Sequence, residues 1–262
     1  MDSDQGDVLD LLGGRTDDAT IERLAFECLV HGLADDRIVS LMNILGWLGD
    51  FDCFAVGGEP AGGNPAAALA ALRRVVADLG GRRVVFGVYG TFVIAAIRAN
   101  ATVTPEATCA ALLDAGVFAD ASPVYLSTMR SNVPGAVQAV RETLFSLQAA
   151  PALPSPERPI RGDELLPERA LLGDDYAREE LYYNVYAVLR GESDDDPTYL
   201  TVSTFLNHGG SLEATARDLN VHPNTVRYRL KRAAETIGWD ATDPRDAFVL
   251  ATAIAIGRMR DR

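Results

Sequence analysis

The chain has 262 residues, enough for two modest domains with their own cores, and carries 24 Lys+Arg against 37 Asp+Glu, a net charge of −13. That acidic balance excludes a protein that coats nucleic acid by bulk attraction. Cys28, Cys53 and Cys109 lie far apart without metal-ligand or CxxC spacing, which excludes a disulfide framework and points to buried free thiols.

The opening MDSDQGDVLD has neither the basic nor the apolar region of a signal peptide, and no apolar run reaches membrane-spanning length. A cytoplasmic location without a membrane partner is expected. Residues 1–18 read as a disordered polar tail around Val8 to Leu12. Ile21, Leu24, Ala25, Cys28 and Leu29 then mark one amphipathic helix. Ile38, Leu41, Met42, Leu45 and Leu48 mark a second, with Asp35 or Asp36 as its cap. His31, at the end of the first, reads as a dipole partner or solvated group.

Next comes FDCFAV (51–56), an apolar run of strand type. A helix follows over 65–79, two strands around Tyr89-Gly90 within 82–98, a helix over 105–115, a strand over 123–128 and a helix over 134–149. This βαββαβ order predicts an antiparallel sheet with helices on one face. The intervening loop GGEPAGGNP (57–65) contains no GxxxxGK[ST] and no Lys, so it reads as a strand-to-helix connection rather than a phosphate cradle. Five prolines within 150–167 predict a stiff linker over 151–167. Residues 168–196 then read as a connecting helix. Its aromatic stripe, Tyr176, Tyr182, Tyr183 and Tyr186, suits a core or a subunit interface. Asp194-Asp195-Asp196 lacks the spaced ligands of a calcium loop and reads as the cap of the next helix.

From Thr198 onward the balance reverses, nine Lys+Arg against seven Asp+Glu. Within 211–232, SLEATARDLNVHPNTVRYRLKR, two helical patterns meet at a tight turn. Ser211 is placed to cap the first, Asn220 to end it in a left-handed conformation, and Pro223 to open the second. Val226, Leu230, Ala233 and Ile237 form an apolar stripe. Opposite it stand Arg227, Arg229, Lys231 (the only Lys in the chain) and Arg232. An ordinary helical hairpin with a solvated face would share this pattern; a major-groove recognition helix requires it. A closing helix opened by Asp243-Pro244, with Phe248, Val249, Ala251, Ile254 and Ile256, is expected to cover the motif. Its tail, Arg258, Arg260 and Arg262, would add exposed charge.

The run TVSTFLNHGG…AIAIGRM (201–259), and VHPNTVRYRLKR followed by Ile-Gly-Trp-Asp above all, resembles the C-terminal DNA-binding domain of PucR/CdaR-type bacterial transcriptional regulators. The order of elements ahead of it is similar to the GGDEF-like, palm-type domain of the same regulators. The resemblance implies an α+β fold: a βαββαβ GGDEF-like domain with N-terminal helices (19–150), then an all-α helix-turn-helix domain (197–262). It further implies a sequence-specific regulator, without cofactor, metal or catalytic residue, that binds double-stranded DNA as a homodimer on paired half-sites.

With geometry, it gives Asn224, Arg227 and Tyr228 as base readers. His222, Thr225, Arg229, Lys231 and Arg232 become phosphate contacts, and Tyr182, Tyr183 and Tyr186 dimer-interface candidates. The hairpin that carries the cyclase signature reads Gly87-Val88-Tyr89-Gly90-Thr91 here, without a carboxylate to hold Mg²⁺, so nucleotide cyclisation is not expected. A small-molecule effector of unknown identity is kept open as a partner, with the middle domain as its place. Use of the helix-turn-helix as a protein-interaction module is the alternative.

Overall fold

The computed structural model describes residues 18–261 except 163, 192 and 194. The tail reading of residues 1–18 therefore lies outside the described residues, apart from Asp18, which opens a helix. The chain divides into two compact units, residues 1–164 and 165–262.

In the first unit, β1 (Asp52–Gly58), β2 (Val84–Tyr89), β3 (Phe92–Arg98), β4 (Val124–Leu126) and β6 (Ile160–Arg161) lie in the order β2-β3-β1-β4-β6. The short β5 (Arg130–Ser131) also pairs with β1. All pairings are antiparallel except β4 with β6, where Tyr125 faces Ile160. The helices are α1 (Asp18–Val30), α2 (Asp36–Ile44), α3 (Pro65–Asp78), α4 (Pro105–Asp114) and α5 (Asn132–Ala149). Asp35 caps α2 through the Arg37 amide. Asn64 and Thr104 cap α3 and α4, each followed by proline at the first helical position. In the GGEPAGGNP stretch the first two glycines finish β1, and Asn64 starts α3.

The expectation of helices on one face is corrected: they cover both. Phe54, Val56, Ala95 and Ile97 pack against Leu72 and Val76 of α3 and Leu112 of α4. On the reverse, Gly57 stands against Thr143 of α5 and Gly87 against Phe26 of α1. The reason lies in β1, buried from Cys53 to Gly58 with no polar alternation, as a strand covered on both sides must be. Each large side chain so buried, such as Phe54, Leu72, Ile97 or Leu112, contributes roughly 1.5–3 kcal/mol. The hairpin closes at Gly90-Thr91, with Tyr89 opposite Phe92.

The stretch 151–167 also differs from a plain linker. Ile160 is fully buried beside β4, and the Tyr125 hydroxyl lies 2.7 Å from Glu142 Oε1 and 3.0 Å from the Gly162 carbonyl oxygen. Its prolines lead the chain back to the sheet, and its last residues enter a helix of the second unit.

That unit contains α6 (Leu166–Leu172) and α7 (Asp175–Glu180), which runs on through a π-helical segment, Leu181–Tyr186, into α8 (Ala187–Arg190). Then follow α9 (Pro197–Asn207), α10 (Leu212–Asp218), α11 (Pro223–Ile237) and α12 (Pro244–Arg260). The single connecting helix expected over 168–196 is instead broken at Gly173, whose φ of 100° is left-handed. Buried Asp174 caps α7 and takes the buried Arg169 guanidinium at 2.7 Å. Leu181, Val185, Tyr186 and Leu189 share one core with Val226, Leu230, Val249 and Leu250, so this stretch is part of the helix-turn-helix domain. Asp196 caps α9 as expected of the acidic break, through the Thr198 and Tyr199 amides; Asp194 lies outside the described residues.

A Cβ added at Gly87 would stand 2.2 Å from the Phe26 ring. Gly87→Ala is expected to destabilise the first unit by about 1–3 kcal/mol through overpacking, read as a lower urea midpoint of its transition with the second unit's transition unmoved.

Candidate nucleic-acid interface

The sequence of α10, turn and α11 specifies each joint. Ser211 Oγ accepts from the Ala214 amide at 3.2 Å, and Asn220 takes φ 51°, turning the chain without glycine. His222 caps α11, its Nδ1 accepting from the Asn224 amide at 3.2 Å, and Pro223 follows at the first position. Gly238, at φ 78°, ends the helix. Ala216 is buried where α10 meets α11, and buried Thr215 returns its hydroxyl to the Ser211 carbonyl at 2.7 Å.

Val226, Leu230 and Ala233 are buried, which turns one face of α11 outward. On it stand Asn224, Arg227, Tyr228 and Lys231, all exposed; Tyr228 keeps 66% of its surface in solvent, unusual for an aromatic ring. Arg227 Nη1 donates to Asn224 Oδ1 at 2.8 Å, and Lys231 Nζ lies 3.8 Å from Glu235 Oε1. Thr225, Arg229 and Arg232 line the flank. Arg229 is half-buried, its Nη1 donating to Thr201 Oγ1 of α9 at 3.3 Å. Arg232 borders a hollow beside Asp196 and Thr198. Burial pushes the Asp196 carboxyl up, but the Tyr199 and Thr198 amides bring it below the usual range.

A further cation, Arg217, lies beside the start of α11 and was not among the residues expected from the sequence. It is exposed on α10 and shares a groove with Asn220, His222 and Pro223, at the start of α11. The signal was available: the first helix of such a motif crosses the DNA backbone, and Arg217 is its only cation.

The tail of α12 carries Arg258 and Arg260 at exposed positions, as expected, and both are engaged within the chain. Arg258 donates to Ser203 Oγ at 2.7 Å and to the Tyr199 hydroxyl at 3.2 Å. Arg260 donates to Glu179 at 2.8 Å and lies over the rings of Tyr182 and Tyr183. Arg262 lies outside the described residues.

The three candidate interface tyrosines also separate. Tyr186 is 2% exposed and packs where α12 has Gly257, so its ring is occupied within its own chain and unavailable to a partner. Tyr182 is partly buried and donates to Asp261 Oδ1 at 2.7 Å. Tyr183 alone is well exposed, at 54%.

Burial first, and then the Asp261 hydrogen bond, push the Tyr186 hydroxyl up to about 12. A raised folded-state pKa gives stability that is complete below the ordinary tyrosine value of about 10 and is lost as pH rises through the folded value. The second unit is therefore expected to lose stability between about pH 10 and 12. Tyr186→Phe should flatten that slope, as read by urea titrations across the range.

Residues 199–256 match the PucR C-terminal helix-turn-helix domain and residues 31–149 the GGDEF-like domain. The crystal structure of a regulator of polyketide synthase expression from Bifidobacterium adolescentis is 69% identical, with a TM-score of 0.91 over 97% of this chain and 99% of that one. Uncharacterized proteins of Mycobacterium tuberculosis and Mycobacterium bovis are 34% identical over 250 residues, 92% of this chain and 59% of theirs. The chain thus spans about three-fifths of the length of these curated relatives. Among the described residues no helix is long and apolar enough to cross a membrane. With both domains matched and a near-complete likeness to a solved regulator, the chain belongs to the PucR/CdaR-type bacterial transcriptional regulators.

Proposed function

We propose that this regulator binds double-stranded DNA sequence-specifically by laying α11 in the major groove, as a homodimer on paired half-sites. The observation that carries the reading is the outward face of α11: Asn224, Arg227, Tyr228 and Lys231 exposed together, opposite a fully buried stripe. Arg227 suits guanine, held in plane by Asn224, and the Tyr228 ring suits a thymine methyl. His222 and Arg217 meet phosphates at the start of the helix, Thr225, Arg229 and Arg232 along its flank, and Lys231 beyond. The GGDEF-like domain acts without phosphoryl chemistry, because its hairpin and the interior of β1 offer no carboxylate for a metal ion.

Glu235, one turn beyond Lys231 on the same face, is the observation that favours docking to a protein instead. Salt dependence separates the two, since counterion release makes DNA affinity fall steeply with salt.

Operator selection followed by binding titrations tests the roles. Arg227→Ala is expected to relax preference at one base pair by about 1–3 kcal/mol, whereas Lys231→Ala weakens all sequences alike and lowers the salt slope by about one. Equal losses on operator and random DNA for Arg227→Ala would remove it from the readers. Tyr183→Asp is expected to give monomers by sedimentation; an unchanged mass places the dimer surface elsewhere.

A further inference from the structure

The second unit exposes an apolar strip that neither its core nor the nucleic-acid interface uses. It runs down α12 on the side away from the buried Val249, Leu250, Ala253, Ile254 and Gly257. Phe248, Ala251, Ala255 and Met259 follow one another there at helical spacing, all exposed. A helix apolar all round is ordinarily buried all round, and here only one face is.

Arg245 Nη2 donates to Glu168 Oε2 of α6 at 2.7 Å, so α6 lies beside the first turn of α12. Leu171 and Leu172 come one turn after Glu168. These two leucines, with Phe248 and Met259, keep between 40 and 70% of their surface in solvent. Together they expose roughly 400 Å² of apolar surface, the size of patch that marks an interaction site on a soluble protein. The polar groups along the strip are already provided for. Thr252 donates its hydroxyl to the Phe248 carbonyl at 2.8 Å. The cations at the margins are engaged within their own chain, Arg245 with Glu168 and Arg258 with Ser203 and Tyr199. Covering the strip therefore strands none of them.

The order of residues says what fits. Phe248 and Met259 stand at the two ends, three turns apart, with Ala251 and Ala255 between them, nearly symmetric about the middle. A second copy of α12 laid antiparallel brings Phe248 of each copy against Met259 of the other, and Ala251 against Ala255. The alanines let the helix axes approach closely. The ends are charged to match: Asp246 lies in the first turn and Arg258 and Arg260 in the last, so the antiparallel arrangement sets acid toward base and opposes the helix dipoles.

We propose that the outer face of α12 is the two-fold seam through which two copies of this chain associate, antiparallel and self-complementary. Two copies hide about 800 Å² of apolar surface, and with the flanking atoms reach the 1,000 Å² or so that a specific interface requires. The inference rests on the homodimer reading and gives it a surface. Tyr183, beneath the Arg260 guanidinium, stands beside the last turn of the strip.

Sedimentation of the full chain over a range of concentrations, without DNA, tests it. Ala251→Glu and the double variant Ala251→Glu/Ala255→Lys are compared with the unaltered protein. Both positions are exposed and Glu and Lys suit a helix, so helical content by circular dichroism is expected to stay. Ala251→Glu is expected to weaken dimerisation at least about tenfold, because it sets a charge in an apolar seam. The double variant places opposite charges against each other across an antiparallel seam, and should return to within about threefold of the unaltered protein. In a parallel seam it would oppose like charges and fall further. An unaltered protein that dimerises, with Ala251→Glu dimerising equally well, overturns the seam and leaves the homodimer reading standing. A monomeric unaltered protein overturns both. Failure of the double variant to recover overturns the antiparallel pairing.

Discussion

Burial of Val226, Leu230 and Ala233 fixes the rotation of α11 about its own axis, and the chemistry of the second unit depends on that rotation. A helix turns about 100° per residue, so a slip of one position would bury Arg227 and expose Val226. Val226 and Leu230 each resist such a slip by roughly 1.5–3 kcal/mol. The caps work to the same end. His222, Pro223 and Gly238 set where α11 begins and stops, and left-handed Asn220 sets the angle at which the chain enters it. α12 closes the core from behind with Val249, Leu250, Ala253 and Ile254, and leaves the outer face of α11 uncovered.

The first unit obeys a different constraint. Its central strand is covered on both faces, so β1 has no position at which a charge could stand in the sheet interior without desolvation. Charged groups are displaced to the periphery: Asp52 at the start of β1, where Ser131 donates to it at 2.7 Å, and Glu22 with Arg73 at the β2 edge. The buried exception is Glu142, which receives Arg130 at 2.9 Å and has the Tyr125 hydroxyl within reach. That polar group lies near Gly162, where the chain leaves the sheet.

Local signals were legible wherever one residue decides one joint. Ser211, Asn220, Pro223 and Asp196 all act as their chemistry suggests, and the βαββαβ order stands with β5 and β6 added. β6 escaped notice because two residues between Pro159 and Gly162 carry no periodicity, and only parallel pairing with β4 makes them a strand. Coverage of both sheet faces was written in the unbroken apolar run of β1, but element order alone does not show it. On α11 the outward residues follow from the 3.6-residue period, whereas the Arg229–Thr201 contact depends on where α9 lies. The tyrosine stripe was ambiguous for the same reason. Gly257, far along the chain, decides that Tyr186 belongs to the core.

The π-helical segment Leu181–Tyr186 has a meaning for how the length of this chain can vary. A π segment is how a helix absorbs one residue more than its regular pitch allows, while the parts on either side keep their registers. Here it lets Ala177 before the segment and Leu189 after it serve the same core. Deleting one residue within the segment would restore regular pitch without breaking the helix. Relatives one residue shorter at this point can therefore hold the same helix-turn-helix domain, and alignments that place the gap elsewhere would misassign the tyrosines.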